Sequence, residues 1–188
     1  MNIELIERTI ESKMHYVKSA KGNEYRYSLY RDWREDKSNP KDKKIIAIML
    51  NPSKAKCVEG DNTITNITNY FSEDGFERLT VYNLFALMST NPQELKNREI
   101  LYEEKNIELI KEGLKDINSE DIILIGWGRI DGEAKYIREQ ANKVLRLLEN
   151  HIENLRCFKD KKGIMPRHPV IIGKEWTLPH YEIKMYEL

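Results

Sequence analysis

The chain has 188 residues, of which 40% are hydrophobic and 33% charged, an ordinary globular composition that fits one domain with a buried core. Lysine plus arginine equal aspartate plus glutamate at 31 each, so there is no global basic field of the kind a strong non-specific nucleic-acid binder uses, although a local basic patch is compatible with these counts. Two cysteines a hundred residues apart, Cys57 and Cys157, argue against a zinc, iron–sulfur or disulfide scaffold, and the longest apolar runs, such as Ile45 to Leu50, are too short to span a bilayer.

The amino terminus, MNIELIERTIESK, is charged and lacks the apolar core of a signal peptide, so the expected location is the cytoplasm and the expected organisation a single domain over 1–188. Residues 14–33 read as a β-hairpin, with Gly22-Asn23 at the turn and Tyr25, Tyr27 and Leu29 alternating as on a half-buried strand. A polar loop, 35–44, follows. IIAIML, 45–50, is a continuous aliphatic run ending at Asn51-Pro52, the pattern of a strand covered on both faces. Between Asp61 and Phe71, Ile64, Ile67 and Phe71 recur at helical spacing, with Asp61 as N-cap and Gly75 as the stop.

LTVYNLFAL, 79–87, predicts a second buried strand running into a loop, and the charged segment 94–114 after Pro92 predicts one or more helices. DIILIGWG, 121–128, predicts a third strand ending in a Gly-Trp-Gly turn. An amphipathic helix is expected over 131–150, with Ala134, Ile137, Ala141, Val144, Leu145 and Leu148 on one side, and a short fourth strand over 155–158. Strand and helix alternate, so the expected fold is a three-layer α/β/α domain with a central parallel sheet of about four strands, plus the N-terminal β-hairpin. In such open sheets ligands bind beyond the carboxyl ends of the strands. Asn51-Pro52-Ser53, Asn83-Leu84-Phe85, Gly126-Trp127-Gly128 and the stretch from Gly163 to Pro169 all fall there.

Asn51 closes its strand before a proline. A turn is the plainer reading; the functional one is an amide that orients a water or holds a carbonyl oxygen. Asn83 interrupts a segment of high β-propensity, and a buried amide there either brackets two loops or reads the edge of a bound amide or nucleobase. Phe85, two residues on, is expected on the same side as a stacking surface. His168 lies between two prolines beside Arg167, which fixes its backbone and makes it a better candidate than His15, His151 or His180. A histidine so placed can donate a hydrogen bond to a developing anion. Lys54, Lys56, Lys159, Lys161, Lys162 and Arg167 bracket the same edge and could hold phosphates. A cavity of roughly 300 Å³ or more is expected between Asn51, Asn83 and His168. Asp61, with Glu59 the nearest carboxylate to the first loop, reads best as a helix cap. Walker, GxSxG, HExxH and GxGxxG motifs are missing, which disfavours the chemistries they carry.

YRYSLYRDW, MLNPSKA, DNT, VYNLFALMSTNPQEL, IGWG and KKGIMPRHP, in this order over about residues 25–170, are similar to the bacterial family catalogued as domain of unknown function 1643. The same motif order resembles, more distantly, the uracil-DNA glycosylase superfamily, an α/β/α fold with a four-stranded parallel sheet. That resemblance implies that Asn51, followed by Pro52, positions a hydrolytic water and that Asn83 reads a flipped base. It implies that Gly126-Trp127-Gly128 is the turn after the third strand and that His168, before Pro169, supports the leaving base. Ser53 stands where a glycine is usual, and Val170-Ile171 replaces a serine-rich loop.

The expected function is therefore a glycosylase-like protein that acts on or recognises a nucleobase, nucleotide or modified nucleic acid, with N-glycosidic bond hydrolysis as the candidate reaction. Asn51 and His168 are the catalytic candidates. Pro52, Ser53, Asn83, Phe85, Trp127 and Arg167 are the binding candidates. No cofactor, metal or membrane partner is expected. The rival readings are a non-catalytic base- or metabolite-binding module and a structural or interaction domain.

Overall fold

The computed structural model describes residues 9–35, 37–38, 43–53 and 61–188. The hairpin comprises β1 (Glu11–Lys18) and β2 (Glu24–Asp32), paired antiparallel around a turn closed by Ser19 N–H to the Asn23 carbonyl at 2.8 Å. Tyr25 and Leu29 turn inward and are buried, with Tyr27 half-buried, as the alternation predicts.

Four further strands lie where the apolar runs predict them: β3 (Lys43–Met49), β4 (Phe76–Asn83), β5 (Ile122–Ile125) and β6 (Leu155–Cys157). They form a parallel array in the order β4-β3-β5-β6. The hairpin, expected as an addition to the sheet, extends it instead. β2 pairs antiparallel with β4, Leu29 opposite Val81 and Asp32 opposite Arg78, giving a mixed six-stranded sheet in the order β1-β2-β4-β3-β5-β6.

Because successive strand residues face opposite sides, the sheet divides its apolar side chains between two cores. Ile46 and Ile48 of β3 join Ile110 of α2 (Ile100–Gly113) and Ile137, Ala141, Val144, Leu145 and Leu148 of α3 (Lys135–Leu148). Ile45, Ala47 and Met49 face the other way, against Ile64, Ile67 and Phe71 of α1 (Asn62–Ser72) and Phe158. Helices thus cover both faces, and each fully buried aliphatic or aromatic side chain contributes about 1.5–3 kcal/mol. Asp61 starts α1 as expected, its side chain accepting Thr63 N–H at 2.9 Å. Among the described residues, no helix is long and apolar enough to cross a membrane.

β4 stops at Asn83, and the next residues stay tied to β3 and β2: Leu84 N–H donates to Met49 O at 2.8 Å, Phe85 N–H to Leu50 O at 3.0 Å, and Arg26 N–H to Ala86 O at 2.8 Å. Side chains from the helical layer satisfy the remaining backbone groups. Asn106 Nδ2 donates to the Asn83 carbonyl at 2.9 Å and Gln140 Nε2 to the Leu84 carbonyl at 2.9 Å, while the Glu103 carboxylate accepts Ala86 N–H at 2.8 Å and Leu87 N–H at 3.2 Å. A buried backbone group left unpaired costs a few kcal/mol, so these three polar side chains fix the path of 83–87.

Candidate functional site

Met49 and Asn83 are register partners at the carboxyl ends of β3 and β4, and Gly126 N–H donates to Ile48 O at 2.9 Å beside them. The Gly-Trp-Gly turn has no side chains at its two glycines for a physical reason. A Cβ on Gly126 would stand 2.5 Å from the Met49 sulfur and 3.6 Å from Pro169 Cδ; one on Gly128, whose φ is +77°, would meet His168 Cβ at 3.5 Å. The loop bearing His168 and Pro169 therefore lies directly on this turn.

That loop is held from several directions. Antiparallel bridges join Phe158 to Arg167 and Lys159 to Thr177, and Asp160 Oδ1 accepts Lys162 N–H and Ile164 N–H, each at 2.9 Å. From α1, Asn66 Nδ2 donates to the Val170 carbonyl at 2.7 Å and to the Pro169 carbonyl at 3.3 Å. The Asp61 carboxylate at the head of α1 also acts electrostatically on His168, and its Oδ2 accepts a hydrogen bond from Ser53 Oγ at 3.0 Å. Ser53, Asp61, His168, Pro169, Met49 and Asn83 thus belong to one connected end of the sheet.

His168 is half-buried, and burial lowers its pKa from the usual 6.5, with the Asp61 charge pulling the other way. Its Nδ1 accepts Val170 N–H at 3.2 Å, which assigns the ring proton to Nε2 in the neutral form. The ring is then a neutral donor, the state suited to an anion that develops only during reaction. Asn83 is 1% exposed, and its Nδ2 has no hydrogen-bond partner among the described residues. Such a group calls for an acceptor that the described residues do not supply.

Asn51 is half-buried, and its Nδ2 donates to the Ser89 carbonyl at 2.6 Å and to the Pro52 carbonyl at 3.3 Å. Ser89 N–H returns a bond to the Pro52 carbonyl at 3.0 Å. Asn51 therefore brackets two loops, which goes beyond the turn of its plainer reading. It spends both amide hydrogens on backbone and leaves Oδ1 as the acceptor, in a fixed orientation. Pro52 is buried at the centre of this bracket.

Three expected site residues lie elsewhere. Phe85 is fully buried in the opposite core, edge-on to Tyr136 at 6.0 Å with the Arg98 guanidinium over its ring at 5.3 Å. Strand alternation does not carry it to the Asn83 side because β4 ends at Asn83. Trp127 is also in that core, 3% exposed, and its Nε1 donates to Tyr186 Oη at 3.1 Å. Only the glycine backbone of its turn serves the site. Arg167 pairs with Asp160 at 3.4 Å and lies over Trp176 at 5.3 Å.

Lys54, Lys56, Cys57 and Glu59 lie outside the described residues. Among the described residues, two cavities stand out and neither is the one expected between Asn51, Asn83 and His168. One, of about 790 Å³, runs between the C-terminal segment, with Tyr181 and Tyr186, and Asp131, Arg138 and Met165. The other, of about 540 Å³, is bordered by Arg167 and Trp176.

Glu103, Asn106 and Gln140 support the site from behind and escape a reading of apolar periodicity. Their helical phase carried the signal: Asn106 is one turn before Ile110, and Gln140 stands three residues after Ile137 and four before Val144, so both point inward. Burial pushes the Glu103 carboxyl up to about 7 against the pull of its two backbone donors.

No curated protein of described function matches the chain. One family profile, described as Protein of unknown function (DUF1643), matches residues 26–170, which is most of the chain and contains Asn51, Asn83 and His168; the protein belongs to that family.

Proposed function

We propose that the protein is a uracil-DNA glycosylase-like domain that acts on or recognises a nucleobase, as a free nucleotide or within a modified nucleic acid, with water-mediated cleavage of an N-glycosidic bond as its reaction. The observation that carries this reading is the state of His168: half-buried, held neutral by its surroundings, and locked by Val170 N–H so that Nε2 carries the proton. A parallel four-stranded array with helices on both faces and an asparagine at the end of each of its first two strands supports it further.

In this reaction the C1′–N bond breaks with its electron pair passing to the base, and a water oxygen forms the new bond to C1′. The water proton passes to solvent or to the departing base. Asn51 Oδ1 accepts from that water, since its amide hydrogens are fixed on Ser89 and Pro52. His168 Nε2–H donates to the base as negative charge develops, an electrostatic role worth more in a water-poor site than in bulk. Asn83 Nδ2 donates to an acceptor on the base edge, so a base that lacks one there is rejected. Phe85, Trp127 and Arg167 have no part in holding the base.

A second reading, a binding module without catalysis, is favoured by the bracket at Asn51, which explains that residue structurally without any water. Chromatographic detection of free base, after incubating the protein with deoxynucleosides and with oligonucleotides carrying uracil or other modified bases, separates the two. Release that slows about 100-fold or more in His168→Ala supports hydrolysis; saturable binding with no release from any substrate supports the module.

A further inference from the structure

The cavity of about 540 Å³ shares Arg167 with the His168 loop and is lined mostly by charged side chains. Lys161, Lys162, Arg167 and Lys174 line it, with the half-buried indole of Trp176 between them. Two carboxylates share the lining, and both are engaged. Asp160 is committed to the turn at Lys162 and Ile164 and pairs with Arg167 at 3.4 Å; Glu175 pairs with Lys161 at 3.5 Å. Lys162 and Lys174 have no ion pair among the described residues, so the groove keeps a net positive charge of two uncompensated ammonium groups.

Arg167 lies over the Trp176 ring at 5.3 Å, which makes a rigid wall that is both planar and cationic. Gly173 permits it: a Cβ there would stand 2.9 Å from Trp176 Nε1. Cations that track phosphates beside an aromatic surface that accepts a base are the recurrent parts of single-strand recognition. The volume falls within the range of small-ligand sites, of order 300–1,000 Å³, enough for one nucleotide unit. An acidic peptide or an anionic lipid surface would use the charges alone, whereas a nucleotide also uses the half-buried indole, which packs on Phe158 at 6.2 Å.

We infer that this groove is a binding site for single-stranded nucleic acid, with Lys162 and Lys174 on phosphates and a base against the Arg167–Trp176 wall. The inference stands apart from the chemistry assigned to His168, and the test reads binding alone.

The probe is fluorescein-labelled dT12, titrated against the full chain by anisotropy between 50 and 200 mM salt, in parallel with poly-glutamate and with phosphatidylserine vesicles. The expected result is salt-dependent binding of dT12 with quenching of indole fluorescence. The double variant Lys162→Ala/Lys174→Ala should bind at least tenfold more weakly, with a salt slope lower by about 1.4, or ~0.7 per lost phosphate contact. Both lysine side chains are exposed and make no ion pair among the described residues, so their removal leaves the fold intact. Trp176→Phe keeps an aromatic ring in place and should lose the quenching. Binding of dT12 that is absent in the parent, equal in parent and double variant, or no tighter than that of poly-glutamate or vesicles overturns the inference. Base release from free nucleosides, measured separately, reports on the pocket and not on this groove.

Discussion

The side-chain amide of Asn106 donates to the carbonyl oxygen of Asn83 across 2.9 Å, so a residue of the helical layer on one face of the sheet fixes the backbone of a candidate base-reading residue whose own side chain faces the other. With Gln140 and Glu103 completing the set, the segment that leaves β4 is held by polar side chains wherever ladder bonds end. Among the described residues, Asn83 Nδ2 and Asn106 Oδ1 are both buried here without a hydrogen-bond partner. A donor buried this deeply without a partner costs stability and can take an acceptor from a ligand.

Replacing Asn83 by Leu should therefore raise stability while weakening ligand binding. Removing a buried unpaired N–H recovers roughly 1–3 kcal/mol, and each kcal/mol moves the melting temperature by about 2–4 °C in a chain of this size. Thermal denaturation checks the first half and titration with nucleobases the second. A lower melting temperature in Asn83→Leu would show that its amide is satisfied and structural.

The neutral state of His168 sets a pH expectation. Burial lowers its pKa, so the ring stays neutral, and Nε2 remains a donor alongside an accepting Nδ1, to lower pH than an ordinary histidine would allow. The acid limb of base release should therefore lie below the 6.5 of an ordinary histidine. Because the Asp61 charge raises this pKa, Asp61→Asn, which keeps an acceptor for Thr63 N–H, should move the acid limb further down. A limb at or above 6.5, or one unmoved by Asp61→Asn, contradicts the assignment.

Glu103 sets a second pH dependence, in stability. Its carboxyl holds a proton to about pH 7 in the folded protein against an ordinary value of 4.5. The contribution is therefore fully present below about pH 4.5 and is lost as pH rises through 7, by about 3 kcal/mol in all. Denaturant melts of the parent between pH 5 and 8 should show this decline, and Glu103→Gln should flatten it even though the variant starts lower for want of one backbone acceptor. An equal slope in both proteins would place the titration elsewhere.

What the sequence makes legible here is set by local pattern. The runs IIAIML and DIILIG, the cap at Asp61 and the stripe on α3 each bury one kind of surface over consecutive turns or pleats, and each element stands where that pattern puts it. Pairing of the hairpin with β4 depends on contacts fifty residues apart and leaves no local trace. Phe85 and Trp127 look like site residues because they flank turn glycines and asparagines. Their burial follows from where the strands stop, and a stop one residue earlier or later reverses the face on which every following side chain lies. Arg167 and His168 are neighbours in sequence, yet one contacts Trp176 and the other the Gly126-Trp127-Gly128 turn.

In the proposed reaction Asn51 Oδ1 places a water and His168 Nε2–H supports a departing base. Its most direct test is the rate of free-base release from a panel of deoxynucleosides and modified oligonucleotides, measured for the parent, Asn51→Ala and His168→Ala side by side with their melting temperatures. The account predicts release by the parent, loss of detectable release in Asn51→Ala with only about 1 kcal/mol of stability lost with its bond to Ser89, and slowing of about 100-fold or more in His168→Ala. No release by the parent from any base, or release that persists unchanged in both folded variants, would contradict it.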